Sequence, residues 1–216
     1  MNPILPRDIY MADVEARVMP DHRMYLYGTV DKSGEDYGRS HPDDYVHLIY
    51  STDDMVHWTQ HRALFKSSGI LHETKALYAP DCLYRNGKYY FHYCTGRGQK
   101  GVAVSDHPNG PFTFRNHIET PGDEALLCAD PALFIDDDGQ AYYFWGQFEL
   151  RGTKLNEDLC SIDPSAITYD ILTEQEHGFH EGSSIRKRGD LYYMVYTDIS
   201  RGRATCMSYA WSRSPL

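Results

Sequence analysis

Four acidic residues, Asp13, Asp81, Asp130 and Glu181, each open a stretch of the same kind: an apolar run, a turn, and a second run rich in aromatics. A fold that brings such acids together gathers like charges, which raise one another's pKa values and oppose burial. Paired carboxylates with divergent pKa values are what glycosidic hydrolysis needs, one to protonate the leaving oxygen and one to activate water. The competing interpretation is structural, because acids at turns also bond backbone N–H groups or hold a cation.

Placing these acids is the task of the elements around them. The first stretch runs 13–18, turns at 20–23 and continues over 24–28; the second runs 81–84, turns at 85–88 and continues over 89–93. The third runs 130–135, turns at 136–139 and continues over 141–146; the fourth runs 181–186, turns at 187–190 and continues over 191–196. Asn86-Gly87 and Asp138-Gly139 are strong hairpin signals, since both pairs tolerate the positive φ of tight turns. A third strand is predicted at 46–50, 101–105 and 204–209, with short outer segments at His57-Trp58 and 111–114. Beyond Trp145 the third stretch shows no clear strand. Helical periodicity is weak, with brief turns at most over 124–128 and 164–166.

Successive heads lie about 50 residues apart after a longer first step, which matches propeller blades of three or four strands. The first step is lengthened by a polar insertion over 31–44, a surface loop by composition. A β-sandwich also has short, regularly spaced strands but gives no reason for an acid to recur at one position. The expectation is an all-β propeller, a single domain over 1–216 with blades near 10–65, 78–120, 128–175 and 180–216. Inner strands of a propeller line a central channel, so equivalent heads converge at one end of it.

The formal net charge of −10 over 216 residues argues against a nucleic-acid partner, which needs a basic surface. No apolar run approaches the roughly 20 residues that span a bilayer, so no membrane partner is expected. Residues 1–8 show no basic segment followed by an apolar one. Five widely spaced cysteines without a CxxC pair point to buried free thiols, and the expected location is the cytoplasm. Eleven histidines show no ligand spacing, the Asp136-Asp137-Asp138-Gly139 run reads as a hairpin turn, and no metal site is assigned. Eighteen tyrosines suit strands and sugar-holding walls. Arg201 and Arg203 are expected to be solvated loop charges.

Five segments together resemble family 43 of the glycoside hydrolases, five-bladed propellers that act on arabinose- and xylose-containing polysaccharides. They are Ala12-Asp13, the Tyr78–Asp81 run, the Ser105–Phe112 run, the Asp130–Gly139 run and His180-Glu181-Gly182. The resemblance implies that Asp13 is the general base, that Asp130 tunes the acid and holds its orientation, and that Glu181 is the general acid. It implies anomeric inversion, with Tyr78 bordering the sugar and Ala79 contributing through its backbone. Asp81 is a structural or pocket-lining acid, with a substrate contact as the alternative. Val14 stands where many family members have Pro. No fifth unit follows the fourth within these residues, so the expectation is a catalytic domain lacking its last blade, which in the family carries a channel His and a substrate-facing Arg. No cofactor is required for the chemistry, though a structural calcium in the central channel is compatible with the resemblance. The implied function is removal of terminal α-L-arabinofuranosyl or β-xylosyl residues from hemicellulose oligosaccharides. A non-catalytic carbohydrate-binding propeller, an inactive fragment and an endo-arabinanase are the alternatives.

Overall fold

The computed structural model describes residues 4–7, 9–30, 48–61, 77–96, 98–120, 129–204 and 206–216. The predicted insertion at 31–44, the turn at 124–128 and Cys128 lie outside these residues. The chain divides into two compact units, Met1–Arg97 with Gly101–Asn116, and Gly98–Lys100 with His117–Leu216.

Two sheets build the first unit, each a meander whose chain neighbours are also sheet neighbours. One is β1 (Met11–Val18), β2 (Met24–Val30), β3 (Leu48–Thr52) and β4 (Thr59–His61). The other is β5 (Leu77–Arg85), β6 (Lys88–Thr95), β7 (Lys100–Ser105) and β8 (Thr113–Ile118), whose ends at Lys100 and beyond Asn116 belong to the second unit. Alternate residues face the neighbouring sheet, so Tyr25, Tyr27 and Ile49 of the first pack against Cys82, Tyr89, Phe91 and Phe112. Tyr27 meets Phe91 edge-on at 5.8 Å, and its hydroxyl donates to the Pro108 carbonyl at 2.7 Å. A wholly buried side chain such as Phe91 contributes roughly 1.5–3 kcal/mol.

In the second unit, β9 (Ala132–Ile135), β10 (Ala141–Trp145), β11 (Glu149–Lys154) and β12 (Thr168–Thr173) form the third sheet. The strands after Trp145 escaped the sequence pattern because Gly152 interrupts β11 and polar or exposed residues fill half of β12. The fourth sheet has three strands, β13 (Phe179–Arg188), β14 (Leu191–Asp198) and β15 (Cys206–Ser212). Phe134, Tyr142 and Phe144 pack against Ile185, Met194 and Tyr196 between these two sheets. The opposite face of β15 leaves Met207, Tyr209 and Trp211 exposed. A short helix, α1 (Glu174–His177), joins β12 to β13 and was not expected from the sequence. It is capped by Thr173 and ended by Gly178 at φ 66°.

Hairpins follow their turn residues. Arg85 pairs with Lys88 around Asn86 and Gly87, both at positive φ, as a two-residue turn of this hand demands. Asp138-Gly139 sits instead in a three-residue loop, where Gly139 takes the left-handed position and its N–H returns to the Asp136 carbonyl. Arg201 and Arg203 are exposed, as expected. Cys82, Cys94 and Cys160 are buried free thiols and Cys206 is a half-buried one. Among the described residues no helix is long and apolar enough to cross a membrane.

The Asp136 carboxylate links the third and fourth sheets, accepting from Lys187 Nζ at 2.5 Å and from the Tyr192 hydroxyl at 2.5 Å. Burial pushes this carboxyl up, but the bonds from Lys187 and Tyr192 more than offset it and hold it below the usual range. A carboxyl lowered by folding adds stability above its unfolded titration point and loses it as pH falls through its folded one. Asp136→Asn is therefore expected to lower the urea midpoint at pH 7 and to shrink the difference in midpoint between pH 7 and pH 3.

Candidate active site

The first strand of each described sheet is bulged at or just before its start, and the bulge holds one residue at positive φ. These are Asp13 (51°), Ala79 (45°), Asp130 (56°) and Gly182 (69°). Just before them, Ala12 pairs with Thr29, Tyr78 with Cys94 and Glu181 with Thr197, while the Gly146 N–H donates to the Ala129 carbonyl at 2.9 Å. Just after, Glu15 pairs with Tyr27, Asp81 with His92, Ala132 with Phe144 and Ser184 with Val195. Three steps on the first strand thus face two on its neighbour, one extra residue in every described sheet.

This register corrects the sequence alignment of the four heads. Asp13 and Asp130 share the bulge position, but Glu181 stands one residue before it and Asp81 two after it. Ala79 and Gly182 occupy it in the second and fourth sheets. Spacing in sequence aligned the acids, whereas ladder pairing decides which residues are equivalent. A non-glycine residue held at such φ costs of order 1–3 kcal/mol, and such strain gathers at functional sites.

In the first unit, Asp13 is exposed and its Oδ2 accepts from the Thr29 hydroxyl at 2.6 Å. The same hydroxyl oxygen accepts from the Ala79 N–H at 2.9 Å. Thr29 is fully buried and uses its one proton on Asp13, so the bulge of the second sheet orients the acid of the first. Thr29 was not singled out by sequence, because a threonine ending a strand carries no distinguishing signal. Tyr78 is half-buried beside this bulge, and its carbonyl accepts from the Cys94 thiol at 3.6 Å.

Asp81 is only 1% exposed, with Arg17 Nε 2.8 Å from Oδ1 and Nη2 2.6 Å from Oδ2. The Cys82 N–H adds a bond of 2.6 Å to Oδ1. Burial alone would pull the Arg17 guanidinium down, but Asp81 and Glu15 more than compensate and hold it well above its ordinary value. A bidentate pair of this kind fixes β1 against β5.

In the second unit, Asp130 and Glu181 are both half-buried. Asp130 Oδ2 accepts from the Gly182 N–H at 2.9 Å, so this acid bonds the peptide that follows Glu181. Glu181 Oε2 accepts from Gln147 Nε2 at 2.6 Å. Gln147 too lies outside the expected site residues; it sits in a loop with no repeat partner that sequence could have aligned. A carboxyl carried by Glu181 and a second, that of Asp130, bonded to the N–H of the next residue are suited to acid–base work, one giving the proton and the other setting its geometry. Among the described residues no three His, Cys, Asp or Glu side chains are placed to hold a metal ion, so no ligand set is assigned to calcium.

Antiparallel meander sheets, four among the described residues, define the fold class as an all-β propeller. The family model described as Glycosyl hydrolases family 43 matches residues 2–216, and the chain belongs to that family. A xylosidase/arabinosidase from Thermoclostridium stercorarium is 29% identical over 99% of this chain and 50% of its own length. Xylosidase/arabinosidase 43A from Humicola insolens is 34% identical over 64% of this chain and 44% of its own. The chain spans about half the length of the curated relatives it matches. Among solved structures, an α-L-arabinofuranosidase from Clostridium thermocellum aligns at a TM-score of 0.77 and 29% identity, over 99% of this chain and 72% of that one. A β-xylosidase/α-arabinofuranosidase from a compost metagenome, solved with xylotriose in a calcium-free form, aligns at 0.80 and 24% identity over 100% of this chain and 77% of that one.

Removing either partner of the Arg17–Asp81 pair strands a charge in the interior. Arg17→Leu and Asp81→Leu are each expected to cost about 3–5 kcal/mol in urea unfolding, and the double variant less than the sum of the two. Additive losses would show that the pair is not coupled.

Proposed function

We propose that the protein is an inverting glycoside hydrolase that removes terminal pentose residues, α-L-arabinofuranosyl or β-xylosyl, from hemicellulose oligosaccharides. The observation that carries the proposal is the bulge repeated in three sheets, with Asp13 and Asp130 at the kink of the first and third and Glu181 one residue before the kink of the fourth, each held by a defined donor. The names of the relatives and solved neighbours, xylosidases and arabinofuranosidases, supply the sugar class.

In this mechanism Asp13 takes a proton from water as the water oxygen bonds to the anomeric carbon. Glu181 gives its proton to the glycosidic oxygen, which leaves with the electron pair of the broken C–O bond, and the configuration inverts. Asp130 acts through geometry, anchoring the Gly182 N–H and with it the peptide that carries Glu181. Tyr78 borders the sugar and Ala79 shapes the wall through its backbone, while Asp81, buried on Arg17, is structural. No step uses calcium.

Turnover of 4-nitrophenyl arabinofuranoside and 4-nitrophenyl xyloside tests the proposal, with the product anomer followed by NMR. Asp13→Asn is expected to lose at least about 100-fold in kcat while still binding pentose. Sugar binding without turnover by the unaltered protein, matched by Asp13→Asn and Glu181→Gln, would instead establish a carbohydrate-binding propeller.

A further inference from the structure

We infer that Gln147 is the positioning residue of the acid: by donating its amide N–H to Glu181 Oε2 it assigns the transferable proton to Oε1. The inference rests on Glu181 being the general acid of the hydrolysis proposed above. Its basis is the 2.6 Å contact between two half-buried side chains. Within a protonated carboxyl the carbonyl oxygen is a much stronger acceptor than the hydroxyl oxygen, so an amide N–H held on Oε2 favours the proton on Oε1 and the two oxygens of Glu181 are not equivalent. The neutral acid carries its proton on Oε1 and passes it to the glycosidic oxygen as the C–O bond breaks. The carboxylate left behind keeps the Gln147 bond, and a donor already aimed at the charge that develops lowers the barrier.

The loop that carries Gln147 is built to hold it there. Gly146 has φ 135°, and a Cβ at that position would lie 2.0 Å from the Glu149 carbonyl oxygen, so the turn admits no side chain. Phe148, at φ 68°, donates its N–H to the carbonyl of His180 at 2.7 Å, the residue immediately before Glu181. The Phe148 carbonyl in turn accepts from the Glu174 N–H at 2.8 Å at the start of α1, and Glu174 Oε1 lies 2.8 Å from His180 Nδ1. Gln147 and Glu181 are therefore each adjacent in sequence to one end of the same hydrogen bond, and a shift of the loop moves both. The residue type also fits. A cation at this place would hold Glu181 ionised, and a second carboxylate would repel the charge it must acquire.

A leaving-group comparison separates this role from a merely structural one. Protonation matters for an unactivated oligosaccharide and hardly at all for a 2,4-dinitrophenyl glycoside, whose leaving group departs as a stable anion. Gln147→Leu is expected to lose about 10–100-fold in kcat/KM on pentose oligosaccharide and to stay within about threefold on the dinitrophenyl substrate. Equal losses on both, or a loss on neither, would overturn the inference. Glu181→Gln on the same pair tells the two claims apart. If it retains oligosaccharide turnover, the general-acid assignment itself fails; if it shows the split and Gln147→Leu does not, only the role of Gln147 falls. A crystal structure of Gln147→Leu gives a readout that needs no turnover. A Glu181 carboxyl rotated out of its present place supports the inference, and one left in a single unchanged conformation refutes it.

Discussion

An antiparallel ladder pairs residues one for one, and the first strand of every described sheet breaks that rule by a single residue near its start. The extra residue cannot stay in the ladder, so it turns into the left-handed region and the strand bends. Aspartate adopts such φ more readily than most residues, which is one physical reason Asp13 and Asp130 are tolerated there. In the second sheet the same place is taken by Ala79 and in the fourth by Gly182, whose N–H groups reach Thr29 and Asp130. Within each unit, one sheet thus supplies the acid at its bulge and the next supplies the backbone donor that orients it.

Holding several bulges at strained φ requires sheets that do not slide. In the first unit the interlocked rings of Tyr27, Phe91 and Phe112, edge-on and tilted, provide shape, and the buried Arg17–Asp81 pair provides register. Such a pair adds little net stability over apolar packing, but it is intolerant of displacement because each misplaced charge would be left unpaired. In the second unit the corresponding link is softer: Asp136, Lys187 and Tyr192 meet near the rim of the hairpins, over a core of Phe134, Phe144 and Phe179.

Membership of glycosyl hydrolase family 43 fits this construction. The neighbourhood of Glu181 is organised from two directions. Asp130 grips the peptide after it, and the Gly146–Phe148 loop grips the peptide before it and its carboxyl. Propeller enzymes place chemistry at strand ends because the strand body is committed to packing and the loops vary freely.

Much of the architecture was legible in the sequence. Asn-Gly and Asp-Gly pairs marked hairpins because few residues accept their dihedrals, and aromatic runs after each turn marked the second strands because alternate burial demands them. The recurrence of acids marked Asp13, Asp130 and Glu181 as candidate site residues. Only the tertiary structure decided which residues are equivalent, since register is set by pairing with a distant strand and a bulge shifts it by one without a trace in residue spacing. It separated Asp81, whose place two residues on directs it to Arg17, from the acids at and beside the kinks. It also revealed Thr29 and Gln147, whose importance lies in what they touch across the fold, a property that residue type does not encode.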